Sequence, residues 1–155
     1  MPDPSRPTPT YVERLTPPAG LWVAVWVGGL VLGISFYAAL GPVAGLVAVL
    51  VPVLLLSTLL SRSAAVVAVD GGDLLAGRAR VPVTALGPAR ALTPEESRRL
   101  RGPESDPAGY HLIRGWVPAG VRADVVDPDD PTPYWFVASR RPDELAAAIE
   151  AARAR

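Results

Sequence analysis

His111 is the single histidine of the chain, and there is no cysteine. A catalytic triad built on His111 needs an activated nucleophile beside it, and no serine lies in a nucleophile-elbow sequence. Flanked by Tyr110 and Leu112 in a strand-like run, it reads as an ordinary half-buried or surface histidine. Zinc sites of the usual kinds need several histidines or cysteines, which the chain lacks. Without cysteine there is also no disulfide frame and no thiolate nucleophile. Asp124, Asp127, Asp129 and Asp130 are oxygen donors of the type calcium takes. Pro128 interrupts that stretch and Pro131 and Pro133 follow it, however, and the twelve-residue loop with its glycine is missing, so a solvated turn is the simpler reading. No catalytic residue, cofactor or metal is expected.

The charges that could still recognise something are arginines. All fifteen basic residues are arginine, and fifteen acids balance them. Zero net charge gives no electrostatic reason to expect nucleic acid. Arg78, Arg80 and Arg122 fall on the polar faces of strand-like runs, where they would meet an anionic lipid headgroup or a partner. The competing reading pairs them with acids such as Asp124, each pair contributing little. Arg140 and Arg141, ahead of the last helix, are candidate anion or partner contacts.

Half of the residues are hydrophobic and the mean hydropathy is +0.28, so the apolar residues must be concentrated somewhere. Residues 21–60 carry no charge and lie between Arg14 and Arg62. One helix over that length would be about 60 Å long, twice the roughly 30 Å of a bilayer's hydrocarbon. Gly41-Pro42 breaks it, because proline lacks a backbone donor and disfavours helix in the residue before it. The expectation is a transmembrane helical hairpin with spans 21–40 and 43–60. Ser35, Tyr37, Ser57 and Thr58 are too few to form the polar face of a soluble helix. Trp22 and Trp26 suit one interface and Tyr37 the other. Arginines flank the hairpin outside and its loop has none, which places both termini in the cytoplasm and the protein in the inner membrane as a multi-pass chain.

Gly29-x-x-x-Gly33 and Gly41-x-x-x-Gly45 are spacings that let helices approach closely. Packing the two spans of one chain is the first reading, and a homo-oligomer the second. Pro52 reads as a local kink, and the absence of ionisable residues from both spans argues against a proton relay, a carrier of charged substrate or a voltage sensor.

Six of the eighteen prolines fall at positions 2, 4, 7, 9, 17 and 18. Residues 1–20 are therefore expected to be a disordered proline-rich tail. Residues 61–155 read as a cytoplasmic β-rich domain that starts within about 13 Å of the membrane surface. Ala65–Val69 is a β-branched run closed by the turn Asp70-Gly71-Gly72-Asp73. Leu74–Arg80 reads as the next strand, with Arg78 and Arg80 on one side, and Val83–Leu92 as a broken strand beyond Pro82. Thr93-Pro94-Glu95-Glu96 is a capping box that starts a short helix. Tyr110–Trp116, Val121–Val125 and Tyr134–Ser139 are further strands. Pro142-Asp143-Glu144 opens a terminal helix with acids first and Arg153 and Arg155 last, as the helix dipole favours. The fold class is thus an α+β membrane protein: a two-helix hairpin, then a small antiparallel meander curled into a half-barrel and plugged by a C-terminal helix.

That order resembles the pleckstrin-homology-like domains of bacterial membrane proteins. The whole chain resembles an actinobacterial family of two-span membrane proteins known as a domain of unknown function. The residues that carry the likeness are Tyr11, Glu13 and Arg14; Gly77-Arg78-Ala79-Arg80-Val81-Pro82; Gly115-Trp116-Val117-Pro118; Asp130-Pro131-Thr132-Pro133-Tyr134-Trp135; and Ser139-Arg140-Arg141-Pro142. The resemblance implies a topology and brings no reaction, cofactor or partner. The function expected is a non-enzymatic, membrane-anchored interaction module with the lipid bilayer and an unidentified protein as partners. Recognition of anionic headgroups is the alternative, and an enzyme on a membrane substrate a distant third.

Overall fold

A computed structural model describes residues 9–155. The described residues form two compact units, 9–15 with 65–155, and 16–64. The apolar hairpin is thus an insertion within the β-rich domain, which corrects the expected division at residues 20 and 60. Residues 1–8 of the expected disordered tail lie outside the described residues, but its later part is ordered. Tyr11–Leu15 is a strand, β1, with Tyr11, Glu13 and Leu15 buried and Val12 and Arg14 exposed. Prolines stop at Pro9 and resume at Pro17, and Tyr11–Leu15 between them alternate with period two, so a strand is open to them.

In the second unit, α1 spans Ala19–Leu40 and α2 Pro42–Arg62, each about 30 Å long at 1.5 Å per residue. Both are long and apolar enough to cross a membrane. Gly41 joins them at φ +91°, a conformation side chains rarely adopt, and Pro42 takes the first helical position. Gly41 has open space around its α-carbon, so it makes the turn and does not pack the helices, a correction to its expected role. Gly29, Gly33 and Gly45 do lie at the crossing. A Cβ on Gly29 would run into Val53, one on Gly33 into Val49, and one on Gly45 would sit 2.7 Å from Tyr37 Cβ. Apart from these glycines only Val53 is buried in the two helices. Ser35, Thr58 and Ser61 donate to the carbonyls of Val31, Leu54 and Ser57 in their own helix, so their hydroxyls form no polar face.

The first unit continues with β2 (Ala65–Asp70), β3 (Asp73–Ala76) and β4 (Ala79–Pro82). With β1 these form an antiparallel sheet in the order β1-β2-β3-β4, with Leu15 opposite Ala65 and Tyr11 opposite Val69. The Leu74–Arg80 run is split, because Gly77 at φ +67° followed by Arg78 makes a two-residue hairpin turn. A 3-10 turn at Val83–Ala85 leads to β5 (Arg90–Leu92). Then come α3 (Pro94–Leu100), β6 (Tyr110–Leu112), β7 (Gly120–Asp124), β8 (Tyr134–Ala138) and α4 (Pro142–Arg153). The expected strand to Trp116 stops at Leu112. Thr93 closes its capping box with Glu96 in both directions.

The second sheet has the order β5-β7-β8-β6, and β6 runs parallel to β8. The domain is therefore not the simple meander expected. The α3 insertion carries the chain across the sheet before β6 returns, and only a crossover lets neighbouring strands run parallel. All five β8 residues are buried because both faces of that strand are covered. Arg101 reaches over the Phe136 ring, and Gly109 lies against the Tyr134 ring. One core joins the two sheets, with Leu15, Val67, Leu74, Leu86, Phe136, Val137, Leu145 and Ile149 fully enclosed.

Candidate functional site

The three arginines singled out by sequence are not brought together. Arg80, in β4, forms an ion pair with Asp73. Arg122, in β7, donates to Asp124 Oδ1 at 2.9 Å, and its guanidinium lies 4.4 Å from the Tyr134 ring centre. Arg78 sits in the β3–β4 turn, exposed, and does not share a strand face with Arg80. Two of the three are thus held by acids, on different sheets.

Arg122 instead joins residues that sequence reading passed over. In the β5–β7 register it stands directly opposite Arg90, so two guanidiniums project from the same side of the second sheet. Like charges so placed repel, and each is offset by its own acid. Arg90 pairs with Glu96, whose carboxyl is held below the usual range by the Thr93 backbone and hydroxyl and by Arg90. These groups line an open groove of about 570 Å³ between α3 and strands β5 and β7. Its walls bring Arg90, Arg99 and Arg122 together with Glu96, Glu104 and Asp124, over an apolar base that includes Leu92 and Leu100. Exposed ion pairs of this kind contribute about 0–1 kcal/mol each, so an incoming polar group exchanges with them at little cost. A capping box and an arginine three residues before its threonine were readable, but the pairing that brings Arg122 beside them was not.

A second cluster is buried. Glu13 Oε2 accepts from the Tyr11 hydroxyl at 2.7 Å and from the Ser139 hydroxyl at 2.7 Å, and Oε1 accepts from the Arg140 backbone N–H at 3.0 Å. Ser139 Oγ in turn accepts from the Arg141 N–H. The Arg141 guanidinium donates to the Val12 carbonyl, pairs with Glu144 and lies 5.0 Å from the Tyr11 ring centre. Arg140 and Arg141, expected as anion or partner contacts, thus fasten β1 to the β8–α4 junction. By residue type Ser139 and Glu13 are a nucleophile and a base, yet Ser139 has no exposed surface. A polar residue at the inward position of Tyr11-x-Glu13-x-Leu15 was the available signal.

Burial is the main cause that pushes the Tyr11 hydroxyl up to about 12 from 10.0; the Ser139 hydrogen bond opposes it and the Glu13 carboxylate adds to it. A folded value above the unfolded one means stability is fully present below pH 10 and is lost as pH rises towards 12. The chain has no lysine or cysteine, so tyrosines dominate titration in that window. Chemical denaturation at about pH 9 and about pH 11 should show a loss for the natural chain that is smaller in Tyr11→Phe. An equal loss in both would remove Tyr11 as its cause.

His111 is half-buried, with Nε2 3.1 Å from the Asp106 carbonyl and 3.3 Å from the Tyr134 hydroxyl. Its Nδ1 is buried without a hydrogen-bond partner among the described residues. The aspartates after β7 are used locally. Asp127 accepts from the Asp129 N–H and Asp130 from the Thr132 N–H, the latter holding the Asp130 carboxyl below its usual range.

No curated protein and no solved structure matches the chain. A family model described as protein of unknown function, DUF3093, matches residues 10–149, from the start of β1 into the last turns of α4, and the chain belongs to that family.

Proposed function

We propose that the protein is a non-enzymatic membrane-anchored interaction module, held in the bilayer by α1 and α2 and offering the groove between α3 and β5–β7 to a protein partner. The observation that carries this reading is the pairing of β1 with β2. β1 precedes the first apolar helix, β2 follows the second, and the two are neighbours from Leu15↔Ala65 to Tyr11↔Val69. Both ends of the hairpin must then lie on one side of any membrane it enters. The uncharged Gly41 turn suits the far side and the arginine-bearing domain the cytoplasmic side, with both termini. The connections, Thr16–Pro18 and Ser63–Ala64, are three and two residues long. At about 3.3 Å per residue they reach no further than about 10 Å. The large apolar side chains of both helices are exposed, Leu40 at 70% and Val43 at 75%, which lipid would cover.

A groove of three arginines and three acids around an apolar base has the character of a polar protein interface more than of a reaction centre. The pleckstrin-homology-like description belongs to the same proposal: two sheets on one core, followed by a C-terminal helix. The test is affinity purification from crosslinked host membranes, comparing the natural chain with Arg90→Glu/Arg122→Glu and with the hairpin alone. Loss of the same co-purifying protein from both altered forms is the expected result. Its retention by the hairpin alone would overturn the reading.

A further inference from the structure

The rim of the first sheet nearest the hairpin connections has a chemistry of its own. Arg14 is opposite Val66 in the β1–β2 register. The Val66 carbonyl accepts the Gly77 N–H at 2.8 Å, which brings the β3–β4 turn, and with it Arg78, to the same level of the sheet. Arg140 donates to the Arg14 carbonyl at 3.4 Å and so stands at this rim as well. Three arginines therefore cluster at the end of the sheet where Leu15 and Ala65 pass into the connections. Arg14 and Arg78 are exposed, and among the described residues neither is in an ion pair. The acids of this sheet are elsewhere: Glu13 is buried in its network, while Asp70 and Asp73 close the opposite end, where Arg80 is paired. Between Arg14 and the β3–β4 turn lies an apolar side chain, Val66, which is 42% exposed.

We propose that this rim is a docking surface for anionic phospholipid headgroups, with Arg14 and Arg78 as the principal contacts and Arg140 beside them. It rests on the reading that α1 and α2 lie in a bilayer, since Leu15 and Ala65 lead directly into the two ends of that hairpin. Guanidiniums match the phosphate oxygens of such headgroups bidentately, and the exposed Val66 between them suits the boundary between headgroup and acyl chain. The rim replaces the expected set Arg78, Arg80 and Arg122, two of which are held by acids. Arginines at one end of the sheet and acids at the other give the rim the local charge that an anionic headgroup attracts.

The test uses the full chain in nanodiscs of phosphatidylcholine with phosphatidylglycerol, reading the ratio of lipids retained by native mass spectrometry. The natural chain should enrich phosphatidylglycerol, and Arg14→Gln/Arg78→Gln should lower that enrichment about thirtyfold, at about 1 kcal/mol per arginine near the surface. Both side chains are exposed, so the variant should fold. Arg80→Gln/Arg122→Gln, which removes as much charge from paired positions, should leave the enrichment close to that of the natural chain. Equal enrichment by the natural chain and the rim variant, or an equal loss in the paired variant, overturns the rim as the site. Failure of the natural chain to enter the discs overturns the membrane reading itself, and the rim proposal with it.

Discussion

Glu13→Ala should detach β1 from the domain and cost about 3 kcal/mol of stability. The carboxylate accepts three hydrogen bonds, from Tyr11, Ser139 and the Arg140 backbone. Removing it orphans donors in a place where Glu13 is only 6% exposed and Ser139 fully enclosed. An unsatisfied buried donor costs about 1–3 kcal/mol. The loss is smaller than three such penalties, because Tyr11 and Ser139, 3.1 Å apart, can bond each other, and the Arg140 N–H is only part-buried. Glu13→Gln keeps the volume and one carbonyl acceptor, and its amide group can donate to a hydroxyl oxygen, so about 1 kcal/mol is expected there. Trypsin provides the readout. Every basic residue is an arginine, and Arg14 lies within β1 itself. Cleavage after Arg14 should be much faster in Glu13→Ala than in the natural chain, with Glu13→Gln between them. Unchanged cleavage at Arg14 in Glu13→Ala would show that β1 is held by its pairing to β2 alone.

The reach of sequence reading here follows the range of the interactions involved. The apolar hairpin was legible because charge-free length and a Gly-Pro break are local properties, and the ends fell within two residues of those expected. The capping box at Thr93 and the turn at Asp70-Gly71-Gly72-Asp73 were legible for the same reason. β1 was hidden by its flanking prolines: composition averaged over residues 1–20 concealed five alternating residues whose partner, β2, lies beyond the hairpin. Gly77 was read as strand interior because Leu74–Arg80 keeps a tolerable alternation, whereas its positive φ ends β3 and carries Arg78 out of line with Arg80. The pairing of β6 with β8, and of Arg90 with Arg122, depends on sheet order, which no local pattern encodes. The Tyr11, Glu13, Ser139 and Arg141 cluster shows the limit best. Both segments were conspicuous, but nothing local told that they meet across more than 120 residues.

Gly45→Ala should loosen the crossing of α1 and α2 by about 1–3 kcal/mol, the cost of forcing extra volume into a packed contact. The new Cβ would lie 2.7 Å from Tyr37 Cβ, 3.1 Å from Tyr37 Cα and 3.0 Å from the Gly33 carbonyl oxygen. Two of these three neighbours are backbone atoms, which yield only if the helices part. Gly28→Ala is the control, on the same hairpin with nothing within 4 Å of its added carbon, and the greater helix propensity of alanine should leave it neutral or slightly stabilising. Gly33→Ala is expected to cost a comparable amount, because its added carbon would lie 2.2 Å from Cγ2 of Val49, a β-branched side chain that a helix holds to one rotamer, and 3.2 Å from the Gly45 carbonyl oxygen. The two substitutions press on the same contact from opposite sides, each against the other residue's carbonyl. Once one has separated the helices, the second meets a gap already opened, so the double variant should lose less than the sum. Unfolding of the detergent-extracted chain by added dodecyl sulfate, followed by circular dichroism, reads all four. Strict additivity would mean that Gly33 and Gly45 do not share one crossing point, and a neutral Gly45→Ala would mean that close backbone approach does not hold the hairpin together.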